Sequence, residues 1–179
     1  MVCGNHEEAY AKIDRGEYPL ESGAGERRVK THAWQLRVHK WLREHLKPEY
    51  YERMLNLPTE FRLRLNDEFS VIGFHAALGC TVSPTCGAFV PAGTLREVYG
   101  GLAENVVIYG HYHEPHVIPL DGKLLVNCAS VGMRIGDCYS NYTVVEYDDE
   151  KIAVVQRQVL YDGDEDARLV WERGHPREL

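Results

Sequence analysis

Two short, continuous apolar runs, Val71–Phe74 and Val106–Tyr109, each lead straight into a segment that carries histidine, at Phe74-His75 and at Gly110-His111-Tyr112-His113. A run this short is the length of a strand, and a strand that reads apolar at every position is buried on both faces. The chain is therefore expected to build a sheet with covered faces and to present polar residues just past two strand ends. In α/β sheets, ligands bind beyond the carboxyl ends of the strands.

The segments around this pair fill in an α/β or α+β pattern. From Arg27 to Leu46 the apolar and aromatic positions Trp34, Val38, Trp41, Leu42 and His45 repeat at helical spacing. Pro48 stops that helix and suits the first turn of another over residues 48–56, which Pro58 ends. Phe61, Leu63 and Leu65 alternate with Arg62, Arg64 and Asn66, which predicts a half-buried strand. Residues 79–93, with three glycines and two prolines, read as a long loop, and Thr94–Leu102 as a short helix. Asp121-Gly122 marks a hairpin between Val117–Leu120 and Lys123–Asn127. A second hairpin is expected from Tyr142–Tyr147 and Ile152–Val159, and a closing helix over Asp164–Arg173. Residues 1–9 and 16–26 read as loops. At 179 residues, without repeat or linker, one domain is expected over 1–179.

Composition narrows the class. Apolar residues are 44% and charged residues 26%, which argues for a folded chain. The net charge of -7 does not favour nucleic acid, and no specific nucleic-acid partner is expected. No apolar run reaches the roughly 18 residues that suggest a membrane helix, so no membrane partner is expected either. The first residues lack the basic and apolar regions of a signal peptide. Cys3, Cys80, Cys86, Cys128 and Cys138 are odd in number and form no Cys-x-x-Cys, so they read as reduced thiols of a cytoplasmic protein.

The chemistry-bearing residues fall in three places. Gly4-Asn5-His6-Glu7 would follow a strand if one preceded Met1; His75 and Gly110-His111-Tyr112-His113 follow the two apolar runs. In extended chain, alternate side chains point the same way, so His111 and His113 would face one site. Neutral imidazole suits Zn, Mn, Fe and similar ions, and Asn adds an oxygen ligand. Glycine before each ligand would allow close backbone approach. Each segment alone also has a plain reading: Gly-Asn-His as a turn, and His75 as a core histidine. His116 reads as a loop residue, and His32, His39 and His45 as solvated or helix-packing. His175 is given no role.

Taken together, in order and spacing, the three segments resemble the calcineurin-like metallophosphoesterase superfamily, in its small bacterial and archaeal phosphodiesterase branch. Gly4-Asn5-His6-Glu7 is similar to that family's Gly-Asn-His-(Asp/Glu) motif. Val71-Ile72-Gly73-Phe74-His75 is similar to its strand ending in a ligand His, and Gly110-His111-Tyr112-His113 to its Gly-His-x-His. Leu57-Pro58-Thr59, Asp121-Gly122-Lys123, Ser130-Val131-Gly132 and Gly174-His175-Pro176 extend the likeness over nearly the whole chain. The resemblance implies an αββα sandwich and a dinuclear site where a bridging water or hydroxide attacks phosphorus. It implies Asn5, His75 and His111 as ligands of one metal and His113 as a ligand of the other. His6 would be the general acid, its ring held by Glu7. The cofactors implied are divalent ions, Mn, Fe, Zn, Co or Ni. The substrate class is a phosphate-ester small molecule or nucleotide.

Two motifs that the family carries ahead of Gly-Asn-His, an Asp-x-His and a Gly-Asp, are absent, because Met1 stands three residues before Gly4. Gly136-Asp137 and Gly163-Asp164 lie too late to replace them. The chain therefore reads as an N-terminally truncated form of the fold. It is expected to hold at most one metal well and to leave a sheet edge or core face uncovered, open to self-association. Ala76-Ala77-Leu78 replaces the usual Gly-Ser-Pro, and Asn127-Cys128-Ala129-Ser130 the usual Asn-Pro-Gly-Ser. Three readings stay open: an active enzyme with a late start, an inactive member that binds one metal or a partner chain, and an enzyme completed by another chain.

Overall fold

The computed structural model describes residues 1–18, 26–132, 138–148 and 151–176. The expectations for the 16–26 loop and for Gly136-Asp137 fall wholly or largely outside these. The chain divides into two compact units: Met1–Gly4 with Pro58–Tyr161, and Asn5–Leu57 with the residues from Asp162 onward.

The first unit is built on a five-stranded sheet. Its strands are β1 (Glu60–Arg64), β2 (Ser70–Phe74), β3 (Val106–Tyr109), β4 (His116–Leu120) and β5 (Lys123–Asn127), in the order β1-β2-β3-β5-β4. The three central strands run parallel, with Gly73 opposite Ile108 and Tyr109 opposite Asn127, while β1 and β4 close the margins antiparallel. Strand periodicity sorts the central side chains onto two faces. Ile72, Phe74, Val107, Tyr109 and Leu125 pack on one face with Leu95 and Tyr99 of α4 (Ala92–Tyr99). Val71, Val106 and Val126 pack on the other, beneath Ile152 and Val154 of the ribbon β6 (Tyr139–Asp148) and β7 (Lys151–Leu160). Both apolar runs are thus buried on two faces, as their sequence requires. Tyr99 is stacked between Phe74 and Tyr109, at centroid distances of 6.3 and 5.7 Å.

The tight hairpin forms at Asp121 (φ 47°) and Gly122 (φ 82°), the paired left-handed conformation of a two-residue loop. Arg96 clamps it with two hydrogen bonds to Asp121, of 2.7 and 3.2 Å. Helix α4 begins two residues before the predicted Thr94. The second hairpin is longer than its apolar core suggested, because the ladder runs on through polar pairs such as Asn141 and Gln158.

β1 departs from its predicted half-burial. Phe61 and Leu63 are 40% and 52% exposed, because β1 lies at the sheet margin and its apolar face is left largely open. The Phe61 ring lies over Gly73, where an added Cβ would come within 2.0 Å of it. Glycine in the middle of a buried strand is explained by that ring.

The second unit contains α1 (Asn5–Asp14), α2 (Glu26–His45), α3 (Pro48–Leu55) and α5 (Gly163–Glu172). The loop expected over residues 1–9 is instead helical from Asn5. Glu7 and Glu8 favour a helix N-terminus, Ala9 and Ala11 have high propensity, and Glu8 pairs with Lys12 at 2.5 Å one turn on. Of the two roles expected for His39, solvated or helix-packing, the structure gives it the second: it is buried. Its Nε2 lies 2.8 Å from both the Asp14 carboxylate and the Tyr51 hydroxyl, and Arg43 pairs with Asp14 at 3.0 Å. Burial and the neighbouring Asp14 carboxylate push Tyr51 up to about 12. Burial and Glu7 do the same to Tyr10. Asp162 caps α5 by accepting from the Asp164 and Glu165 N–H groups. At the other end, Gly174 (φ 60°) closes the helix, with Gly174 N–H on Trp171 O and His175 N–H on Val170 O.

Candidate metal centre

His75 and Gly110-His111 follow the carboxyl ends of β2 and β3, which are parallel neighbours in register. Their loops are joined by the Gly110 N–H, which donates to the His75 carbonyl at 2.8 Å. The side chains meet as well. His111 Nδ1 lies 3.3 Å from His75 Nε2, and the rings stand at 72° with centroids 5.2 Å apart. Two imidazole nitrogens about 2.0–2.1 Å from one ion, at a tetrahedral angle, stand roughly 3.3–3.4 Å from each other. The pair therefore fits a shared divalent cation of the kind imidazole prefers. With one ring protonated at the facing nitrogen, the same separation is a long N–H···N hydrogen bond.

The route by which His111 reaches this position differs from the expected one. The chain at His111 is not extended: φ is +64°, and the Tyr112 N–H donates to the Gly110 carbonyl at 2.7 Å, closing a three-residue turn centred on His111. His111 and His113 therefore do not alternate as residues of an extended chain would, because a tight turn breaks the two-residue period. His113 is half-buried. Among the described residues, no group of three or more His, Cys, Asp or Glu side chains converges on one point. Close backbone approach does not explain Gly110, where an added Cβ would make ordinary contact, 3.8 Å from the His75 carbonyl oxygen.

Asn5 and His6 are the first two residues of α1 in the helical unit, and Glu7 stands in its first turn. The His6 ring lies edge-on to Trp34 at 5.9 Å and is tilted against Tyr10 at 6.2 Å. His116 opens β4 rather than lying in a loop. Its Nε2 is 3.1 Å from the Tyr109 hydroxyl, and burial lowers its pKa. The Cys128 thiol is pushed up by burial, so it is no activated nucleophile. A cleft of about 410 Å³ opens at the opposite end of the sheet, near Ser70 and Asn105. Its arginines are committed to acids, Arg62 to Glu60 and Glu104, and Arg64 to Asp67.

One residue of this region had no assigned role in the sequence reading. Asn127, fully buried at the end of β5, donates from Nδ2 to the Gly110 carbonyl at 2.9 Å and accepts the Ala129 N–H at 2.7 Å. A polar residue closing an apolar strand was the available signal.

No protein-family profile matches the sequence, and no curated protein matches it. Solved structures do. The chain is similar to a hypothetical protein from Pyrococcus horikoshii OT3, with a TM-score of 0.72 and 14% identity over 98% of this chain and 68% of that one. It is also similar to a metallophosphoesterase from Sphaerobacter thermophilus, with a TM-score of 0.62 and 17% identity over 97% of this chain and 71% of that one. The chain has the calcineurin-like metallophosphoesterase fold. At these identities the likeness is one of fold. Within this fold, the imidazole pair sits where open α/β sheets bind their ligands, past the carboxyl ends of adjacent parallel strands. No helix among the described residues is long and apolar enough to cross a membrane.

Proposed function

We propose that this chain is a metal-dependent phosphoesterase, a phosphodiesterase or phosphatase, whose divalent cation is held by His75 and His111. The observation that carries the reading is the 3.3 Å approach of His111 Nδ1 to His75 Nε2 past two parallel strand ends. A divalent cation, when bound, neutralises charge on phosphoryl oxygens and makes water a better nucleophile at neutral pH. The chain's own part is to hold two neutral imidazoles at a ligating separation, with His111 locked by its turn. On the resemblance alone, Asn5 and His113 are proposed as further ligands, His6 as the acid that protonates the leaving oxygen, and Glu7 as the group that orients His6. Manganese is the metal to try first, followed by Zn, Fe, Co and Ni. Thiols outside any disulfide at Cys80, Cys128 and Cys138 suit a cytoplasmic setting.

A second reading is an inactive member of the fold that binds one metal or a partner chain. It is favoured by the lack of any three converging His, Cys, Asp or Glu side chains among the described residues. One experiment separates the two. Bis(p-nitrophenyl) phosphate and p-nitrophenyl phosphate are offered with manganese to the wild-type chain and to His111→Ala. Hydrolysis that disappears in the variant supports the enzyme. Metal binding without hydrolysis supports the second reading, and hydrolysis unchanged in the variant removes His111 from the site.

A further inference from the structure

We propose that Asn127 is the positioning residue of the imidazole pair: its carboxamide holds the left-handed turn at His111 and so sets the distance from His111 to His75. The inference builds on the reading of that pair as a metal site.

Asn127 ends β5 opposite Tyr109, the last residue of β3, and is 0% exposed. Its Nδ2 donates to Gly110 O at 2.9 Å. That same carbonyl accepts the Tyr112 N–H that closes the turn around His111. The carboxamide therefore anchors the peptide immediately before the imidazole. Its other end accepts the Ala129 N–H, and Ala129 has a φ of +63°. Outside the Asp121-Gly122 hairpin turn, His111 and Ala129 are the non-glycine residues with positive φ among the described residues. One side chain thus braces both of these left-handed positions. Such conformations persist where the surroundings over-determine them. The Asn127 backbone carbonyl separately accepts Gln156 Nε2 at 2.9 Å, which ties β7 to β5 without involving the carboxamide. If the Gly110 bond is lost, His111 can relax to a negative φ and its ring leaves His75. Partners that orient a metal ligand typically change metal affinity 10–100-fold when mutated.

The test compares Asn127→Asp, Asn127→Ser and Gln156→Ala with the wild type. An ionised Asp keeps the acceptor for Ala129 and loses the donor for Gly110. Ser is measured beside it because a buried carboxylate can unfold the chain. Two readouts are taken: nuclear Overhauser contacts between the His75 and His111 ring protons without metal, and cobalt(II) titration followed by its visible absorption. The expected result is loss of the ring contacts and about 10–100-fold weaker cobalt binding in the folded Asn127 variants. Gln156→Ala keeps both within about twofold, which separates positioning from general destabilisation. A folded Asn127 variant that keeps the contacts and the wild-type affinity overturns the proposal, as does absence of the contacts in the wild type. A wild type that shows the contacts but binds no cobalt removes the metal reading, and the contacts in the variants then decide the positioning role alone.

Discussion

Replacing His111 by glycine should make the protein more stable than replacing it by alanine, although both remove the imidazole. His111 has a φ of +64°, held by the 2.7 Å bond from the Tyr112 N–H to the Gly110 carbonyl. For a residue with a Cβ, the left-handed region costs about 1–2 kcal/mol. Alanine keeps that cost and glycine does not. Against this, glycine loses more backbone freedom on folding, worth about 0.4–1 kcal/mol. Taking the middle of both ranges, the net advantage of His111→Gly over His111→Ala is about 0.8 kcal/mol, or about 2–3 °C in Tm for a chain of this size. Thermal unfolding followed by circular dichroism, without added metal, reads the difference. Repeating it with cobalt or zinc gives the functional half. The wild type should rise by about 2.7 kcal/mol of stability when the metal is at 100 times its Kd, and neither variant should rise comparably. If His111→Ala is as stable as His111→Gly, the turn is not strained and the reasoning fails. If the variants respond to metal as the wild type does, His111 is not a ligand.

Gly73→Ala should cost about 1 kcal/mol, because the added methyl would stand 2.0 Å from the Phe61 ring and must displace it. In the Phe61→Ala background that cost should vanish, and additive effects in the double-mutant cycle would refute the contact. Alkaline pH should destabilise the helical unit. The unfolded chain releases its tyrosine protons near pH 10, while Tyr10 and Tyr51 keep theirs to about 12, so rising pH favours unfolding across that interval. The loss is on the order of 2 kcal/mol per tyrosine, and Tyr10→Phe or Tyr51→Phe should move the alkaline midpoint upward in a pH-dependent denaturant series. Ile72→Ala, at a fully buried site, should cost about 2–5 kcal/mol by urea unfolding.

Much of the architecture was readable from local pattern. The two apolar runs became β2 and β3, Asp121-Gly122 became the tight hairpin, and Pro48 opened α3. In each case the signal is local: burial on both faces, paired left-handed residues, or a ring with a fixed φ. The histidines past β2 and β3 were legible for the same reason, since a polar residue directly after an apolar run marks a strand end. The helix at residues 5–14 was not legible because Gly4-Asn5-His6 at its start reads as a turn, although Glu7, Glu8, Ala9 and Ala11 already favour a helix.

The remainder depends on partners far along the chain. Alternation in β1 predicts two faces, but whether either is covered depends on where the strand falls in the sheet order, and β1 falls at the margin. The two-residue period between His111 and His113 holds only for extended backbone, and the backbone there is turned by bonds that include one from Asn127, 17 residues away from Gly110. Residue types and their spacing determined which side chains were available for metal chemistry and which runs became buried strands. Only the tertiary structure, by parallel pairing of β2 with β3 and β3 with β5, brought His75 to His111 and placed Asn127 beneath them. Strand order and loop anchoring are non-local hydrogen-bonding and packing choices, and no local propensity encodes them.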